Sequence, residues 1–255
     1  MLKHRLIPCL LVHNKGLVKT QKFANPKYVG DPINAIRIFN EKEVDELVVL
    51  DISASKEKRE PNYELVEQLA SECFMPLCYG GGIRTIEQAR TLFGLGLEKI
   101  AVQSAALEDL TLLTKIAEQF GSQSVVVSVD IKKNWLGKHS LLMSASGKIS
   151  SRSWQDYIRQ AVASGAGEVM LNAVDRDGLM QGMDIDLIHE ASTSLSVPLI
   201  AVGGVGSLSD IKAAVDAGAS AVAAGAFFVF HGPHRAVLIT YPSYQDLEDI
   251  LKEPS

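Results

Sequence analysis

One pattern of this chain occurs twice. MPLCYGGGIRTIEQARTLFGLGLEKIAV, beginning at Met75, lies over VPLIAVGGVGSLSDIKAAVDAGASAVAA, beginning at Val197. Pro76 falls on Pro198, Gly81 on Gly203, Gly82 on Gly204 and Gly96 on Gly218, each pair 122 positions apart, and Glu46 falls on Glu168 at the same spacing. Leu11 falls opposite Asp130 at a spacing of 119, a three-residue difference that a loop absorbs. Each copy reads as a buried strand, a glycine turn, an amphipathic helix and the start of another buried strand. A chain built from two such halves has room for about four strand–helix units in each.

The rest of the sequence follows the same grammar. Apolar, β-branched runs at 6–12, 46–51, 76–79, 99–102, 124–130, 168–172, 198–202 and 221–224 read as strands. Helical patterns lie between them at 62–71, 85–95, 110–120, 153–164, 186–194 and 209–217. Strands that are apolar on both faces belong to a parallel sheet covered by helices. Eight of them in 255 residues predict a closed (βα)8 barrel made of two repeated half-barrels, a fold that needs about 250 residues. One domain is expected over 1–255, with halves at about 1–120 and 121–230 and an atypical C-terminal segment at 231–255.

Other features narrow the function. The 25 Lys and Arg against 30 Asp and Glu give a net charge of −5, which carries no overall footprint for nucleic acid but leaves local basic patches open. Cys9, Cys73 and Cys78 have no CxxC spacing and read as free thiols of a cytoplasmic protein. The apolar run after the basic N-terminus reaches only about half a bilayer span and reads as the first strand, so no membrane association is expected. The six histidines show no ligand spacing, and neither a metal nor a cofactor is predicted. His231 and His234 read as surface or packing residues, and Cys9 as barrel interior.

The glycines carry the chemistry. Residues 79–83 and 202–206 each end a strand and open a helix. Glycine permits the sharp turn, and the helix start offers unpaired N–H groups to an anion. Gly81, Gly82 and Ser104 make one candidate phosphate site; Gly203, Gly204, Ala224 and Gly225 make the other. The Asp177–Gly178 turn is expected to complete the site at Gly81. Two sites across one barrel mouth suit a ligand with a phosphate at each end.

The motifs RLIPCL, VLDISAS (49–55), YGGGIRT (79–85), FGSQSVVVSVD (120–130), DRDG (175–178) and AVGGVGS (201–207) occur in the order found in the HisF family, the cyclase subunits of imidazole glycerol phosphate synthase. The chain resembles that family over residues 1 to about 230. The resemblance implies an ammonia-producing HisH-type glutaminase at the bottom of the barrel and passage of ammonia through it to the mouth. It assigns the ammonia gate to Arg5, Glu46, Lys99 and Glu168, places Glu98 facing the glutaminase, and gives catalytic roles to Asp130, Lys19 and Asp51. Asp51, at the end of the second strand, is expected to orient substrate.

One family residue is missing. The family uses a second aspartate at the end of the first strand, and Leu11 stands there. Leucine moves no proton, and general acid–base catalysis contributes about 10²–10⁴-fold. His13 and Lys19 are the neighbouring groups that could substitute, and neither restores a carboxylate. VKTQKF (18–23), DRDGLMQGMD (175–184) and HGPHRAVLITYPSY (231–244) further resemble HisF-like paralogues of bacterial pathways that turn an acetamido sugar into an acetamidino sugar for surface polysaccharide. That resemblance implies a subunit accepting ammonia from the glutaminase and supporting modification of a nucleotide-linked sugar, with a sugar amidotransferase as a further partner. A histidine-pathway cyclase with Leu11 compensated, and a scaffold that only activates the glutaminase, are the competing readings. The stretch 132–152, flanked by Trp135 and Trp154, reads as a mobile loop over the mouth or as a solvent-exposed insertion.

Overall fold

The computed structural model describes residues 4–232 and 234–251, so part of the C-terminal segment 231–255 lies outside the described residues. Eight parallel strands close on themselves: β1 (Arg5–His13), β2 (Leu47–Asp51), β3 (Leu77–Gly80), β4 (Lys99–Val102), β5 (Val125–Lys133), β6 (Glu168–Ala173), β7 (Leu199–Val202) and β8 (Ala221–Ala224). Each pairs with the next, and β8 returns to β1 with Ala221 beside Arg5. The chain is therefore a (βα)8 barrel, and all eight expected strands are present within two residues at each end, except that β5 runs three residues further.

Alternation along the strands divides the core in two. Ile7, Cys9, Val48, Cys78, Ala101, Val126, Met170, Ile200, Ala221 and Ala223 fill the lumen. Their neighbours, such as Leu6, Leu10, Val49 and Val127, pack outward against the helices. Burying one Val, Leu or Ile side chain contributes about 1.5–3 kcal/mol. A one-residue slip in any strand would exchange these two sets, so the pattern fixes the register.

The helices are α1 (Pro32–Glu41), α2 (Tyr63–Glu72), α3 (Ile86–Gly94), α4 (Thr111–Phe120), α5 (Trp154–Ala163), α6 (Ile185–Ser192), α7 (Leu208–Asp216) and α8 (Tyr244–Leu251). The repeat is visible in their caps. Thr85 and Gln88 form a capping box on α3, and Ser207 and Asp210, 122 positions later, form one on α7. Each such cap contributes about 1 kcal/mol. Helix α1 is absent from the predicted set although Asp31 caps it and Pro32 opens it.

The long loops depart from expectation. Residues after β1 form two antiparallel strands, Gly16–Gln21 and Ala24–Gly30. The 132–152 stretch is no irregular loop: β5 continues into a hairpin with His139–Met143, which pairs in turn with Lys148–Ile149. Trp154 is not part of it but lies buried at the start of α5, edge-on to His139. The C-terminal segment holds a small hairpin, Phe230–His231 with Ala236–Val237, and then the short α8; His231 and His234 are exposed. Tyr241 donates a hydrogen bond to the Leu6 carbonyl and stacks on Phe228, fastening this segment to β1.

Candidate functional site

The bottom of the lumen is closed by charge. Arg5, Glu46, Lys99 and Glu168 are the first inward-facing residues of β1, β4 and β6 and, for Glu46, the residue before β2. The Arg5 guanidinium reaches Glu46 at 2.5 Å and Glu168 at 2.9 Å, while the Lys99 Nζ reaches Glu46 at 2.9 Å and Glu168 at 3.2 Å. The four predicted gate residues thus form a continuous ring of alternating sign. One acceptor is left over: Glu46 Oε1 is buried without a hydrogen-bond partner. Glu98, at the same end, accepts from the Leu77 N–H.

At the other end the strands open into a cavity of about 1340 Å³, its solvent-filled entrance included. Asp130, Lys19, Asp51, Ser104, Asp177 and all of the predicted phosphate-loop positions line it, and so does Leu11. Leu11 pairs with Leu50 on β2, so this side of the mouth is apolar where a carboxylate is expected. His13 lies outside the cavity lining and is bonded to the Ser53 hydroxyl at 2.5 Å, so it does not take the place of the missing acid.

Asp130 is a buried acid of the mouth. Its Oδ2 accepts from Gln103 Nε2 at 2.5 Å and from the Ser144 hydroxyl. Burial pushes its pKa up to about 6, against the pull of the Ser144 and Gln103 bonds, and Asp177 adds to the rise. A carboxyl so placed exchanges a proton near neutral pH. Gln103 and Ser144 are absent from the predicted site. Gln103 stands 122 positions before Gly225, so the repeat marked its place but not its partner. Ser144 is brought in only by the register of the β5 hairpin, which no local motif reveals.

Lys19 is buried and donates to the Cys9 carbonyl at 2.7 Å. Burial lowers its pKa, opposed by nearby Cys9 and Asp177. Burial also pushes the Cys9 thiol up to about 11, so it is inert as a nucleophile. Asp51 spends one oxygen on the N–H groups of Ser53 and Ala54, at 2.9 and 3.0 Å, which shapes the loop after β2.

The glycine loops repeat in three dimensions. A Cβ on Gly81 would stand 2.6 Å from the Asp51 carbonyl, and one on Gly203 would stand 2.8 Å from that of Ala173, its counterpart 122 positions on; both glycines have φ of 100° or more. Short helices follow the next strands at Ser104–Glu108 and Ala226–Val229, again 122 positions apart. Gly82 and Ser104 fall with Gly81 on one side, and Gly204, Ala224 and Gly225 with Gly203 on the other. Asp177 and Gly178 do not join the Gly81 side. Asp177 accepts from Thr20 at 2.8 Å and from the Phe23 N–H, and Gly178 packs on the Thr20 carbonyl, so this turn latches the first hairpin. The reason is that the first hairpin folds across the mouth to meet this turn, where the Lys22 N–H also bonds the Asp177 carbonyl at 3.1 Å. Among the described residues no cluster of His, Cys, Asp and Glu is arranged to hold a metal ion, and no helix is long and apolar enough to cross a membrane.

The sequence model of the family described as histidine biosynthesis protein matches residues 5–233. A Pseudomonas aeruginosa protein provisionally named imidazole glycerol phosphate synthase subunit hisF2 is 53% identical over 249 residues, covering 97% of this chain and 99% of its own. A Leptospira interrogans protein provisionally named as the HisF subunit of the same synthase is 49% identical over 250 residues, covering 97% and 98%. The protein named imidazole glycerol phosphate synthase subunit HisF in Streptococcus sanguinis is 43% identical over 207 residues, covering 81% and 82%. With the match running through all eight strands, the chain belongs to the histidine biosynthesis protein family, on its HisF branch.

Proposed function

We propose that this chain is a HisF-like synthase subunit that conducts ammonia and does not carry out the cyclase reaction itself. It takes ammonia from a HisH-type glutaminase at the charged end of the barrel and releases it at the mouth, where it supports acetamidino modification of a nucleotide-linked sugar by a sugar amidotransferase. The observation that carries this reading is the contrast within one lumen: a complete ring of four charges at the floor and Leu11 at the mouth.

The floor suits ammonia entry. Buried ion pairs are poor sources of stability, so a closed ring is better understood as a device than as a strut. Lys99 can swing aside while Arg5 holds both glutamates, and the spare Glu46 oxygen offers an acceptor to an entering N–H. Above the ring, the lumen holds apolar side chains, among them Cys9, Val48, Cys78 and Ala101, surroundings that favour neutral ammonia over ammonium.

The mouth retains Asp130 and Lys19, but Leu11 stands where a carboxylate at the end of β1 would face Asp130, and divided acid and base roles need both groups. The paired glycine loops keep the means to hold a ligand with two phosphates. Relatives named as synthase subunits support the partner half of the reading; VKTQKF, DRDGLMQGMD and HGPHRAVLITYPSY support the sugar half. Coupling tests the conduit. With the glutaminase bound, Lys99→Ala is expected to leave glutamine hydrolysis running while the fraction of its ammonia that reaches the mouth-side product falls at least about tenfold. Unchanged coupling would contradict the conduit.

A further inference from the structure

Two hairpins overhang the mouth, at residues 14–30 after β1 and at 131–153, which takes in the last three residues of β5 and the segment that follows it. In an eight-stranded closed barrel these strands lie across from each other, so the hairpins flank the opening. Together they hold 40 residues and nine Lys or Arg but no Asp or Glu, although an even spread of the chain's 30 acids would place four or five there. Lys19 turns into the cavity, Lys15 pairs with Glu64, and Lys133 pairs with Asp184. Lys22, Lys27, Lys132, Lys138, Lys148 and Arg152 have no ion pair among the described residues. A protein of net charge −5 has therefore gathered unpaired positive charge around one opening.

The same hairpins expose large apolar side chains. Trp135 is 90% exposed, Leu136 70% and Tyr28 67%. Attraction of a small anionic ligand would account for the lysines. It does not account for a tryptophan and a leucine held in water at a hairpin tip, which is the composition of an interface anchor surrounded by steering charge.

We propose that the two hairpins form a docking collar for a second protein that presents an acidic face and accepts the ammonia leaving the mouth. This rests on the conduit reading above. Ammonia released into water near neutral pH is protonated and ceases to be a nucleophile, so an outlet without its own cyclase chemistry has to be covered by the protein that consumes the ammonia. Trp135 and Leu136 anchor that partner, and the six unpaired cations set its orientation and make its binding depend on salt.

The test places a photoreactive phenylalanine at Trp135 or at Phe74 in the full chain, expressed in the cell that naturally makes it. Phe74 is equally exposed but precedes β3, at the opposite end of the barrel. A protein cross-linked from 135 and not from 74 is then purified and titrated against the intact chain. The collar predicts that Trp135→Ala and the pair Lys132→Glu with Lys138→Glu each weaken binding at least about tenfold, with circular dichroism unchanged, and that added salt weakens it too. No cross-link at 135, or an affinity indifferent to charge reversal, would overturn it. Sedimentation with phosphatidylserine vesicles that is lost in the same variants would overturn it in favour of a membrane. If docking holds while Lys99→Ala leaves coupling intact, the collar stands and the conduit falls. If coupling falls and nothing docks, the reverse is true.

Discussion

The two ends of this barrel's lumen handle buried charge in opposite ways. At the floor, two acids and two bases neutralise each other within 2.5–3.2 Å, and each carboxylate is held by two cations. At the mouth, Asp130 has neutral donors only; Lys19 is buried nearby but gives its bond to a backbone carbonyl. The floor is organised to keep its charges, whereas the mouth is organised so that its acid can gain or lose one. An acid at the floor is therefore balanced by its countercharges, whereas Asp130 at the mouth is ionised only at a cost borne for function.

The sharpest way to break the comparison is to remove an acid from each end. Glu46→Gln leaves Arg5 and Lys99 sharing Glu168 alone, and losing one partner of a buried ion pair costs about 3–5 kcal/mol. Denaturant unfolding at neutral pH is expected to show a loss at the lower end of that range, because Arg5 keeps some contact with water. A loss under about 0.5 kcal/mol would mean that the ring contributes nothing to the folded state.

Asp130→Asn is expected to act with the opposite sign. Raising a carboxyl from 3.8 to about 6 makes its ionisation in the folded protein cost about 3 kcal/mol more than in the unfolded chain. The wild type is therefore free of this penalty below pH 4, accumulates it as the pH rises from 4 to 6, and carries it in full above 7. Asp130→Asn should match wild-type stability at pH 4 and exceed it by up to about 3 kcal/mol at pH 8. Ser144→Ala sharpens the point at a smaller scale. It deletes a bond to the charged form, so the carboxyl midpoint, followed by carbon NMR, should move upward by about one pH unit. A midpoint that stays put would remove Ser144 from the site.

Much of this was legible in the sequence, because the repeat constrains both halves at once. Gly81 and Gly203 are needed for the same close approach, and the capping boxes on α3 and α7 recur at one spacing. Strands that are apolar on both faces announce themselves, whereas the gate residues were legible only through the resemblance to the HisF family. What the sequence hid depends on pairing between segments with a weak apolar signal. The hairpins after β1 and β5 hold only short apolar runs, such as Leu17–Val18 and Leu141–Leu142, among polar residues, so their strand character follows from hydrogen bonds back to the barrel. Ser144 reaches Asp130 only through that pairing. The place of Asp177–Gly178 differs from expectation because a turn motif says nothing of the first hairpin, which reaches across the mouth and bonds Asp177 through Thr20, Lys22 and Phe23.

The central claim is that the mouth has given up cyclase chemistry at Leu11. The most direct measurement is turnover of the bisphosphorylated ribulosyl substrate of imidazole glycerol phosphate synthase, supplied with ammonium salt, by wild type and Leu11→Asp side by side. The account predicts no turnover by the wild type and measurable turnover once the second carboxylate is restored opposite Asp130. Turnover by the wild type would contradict it and make this chain a working cyclase.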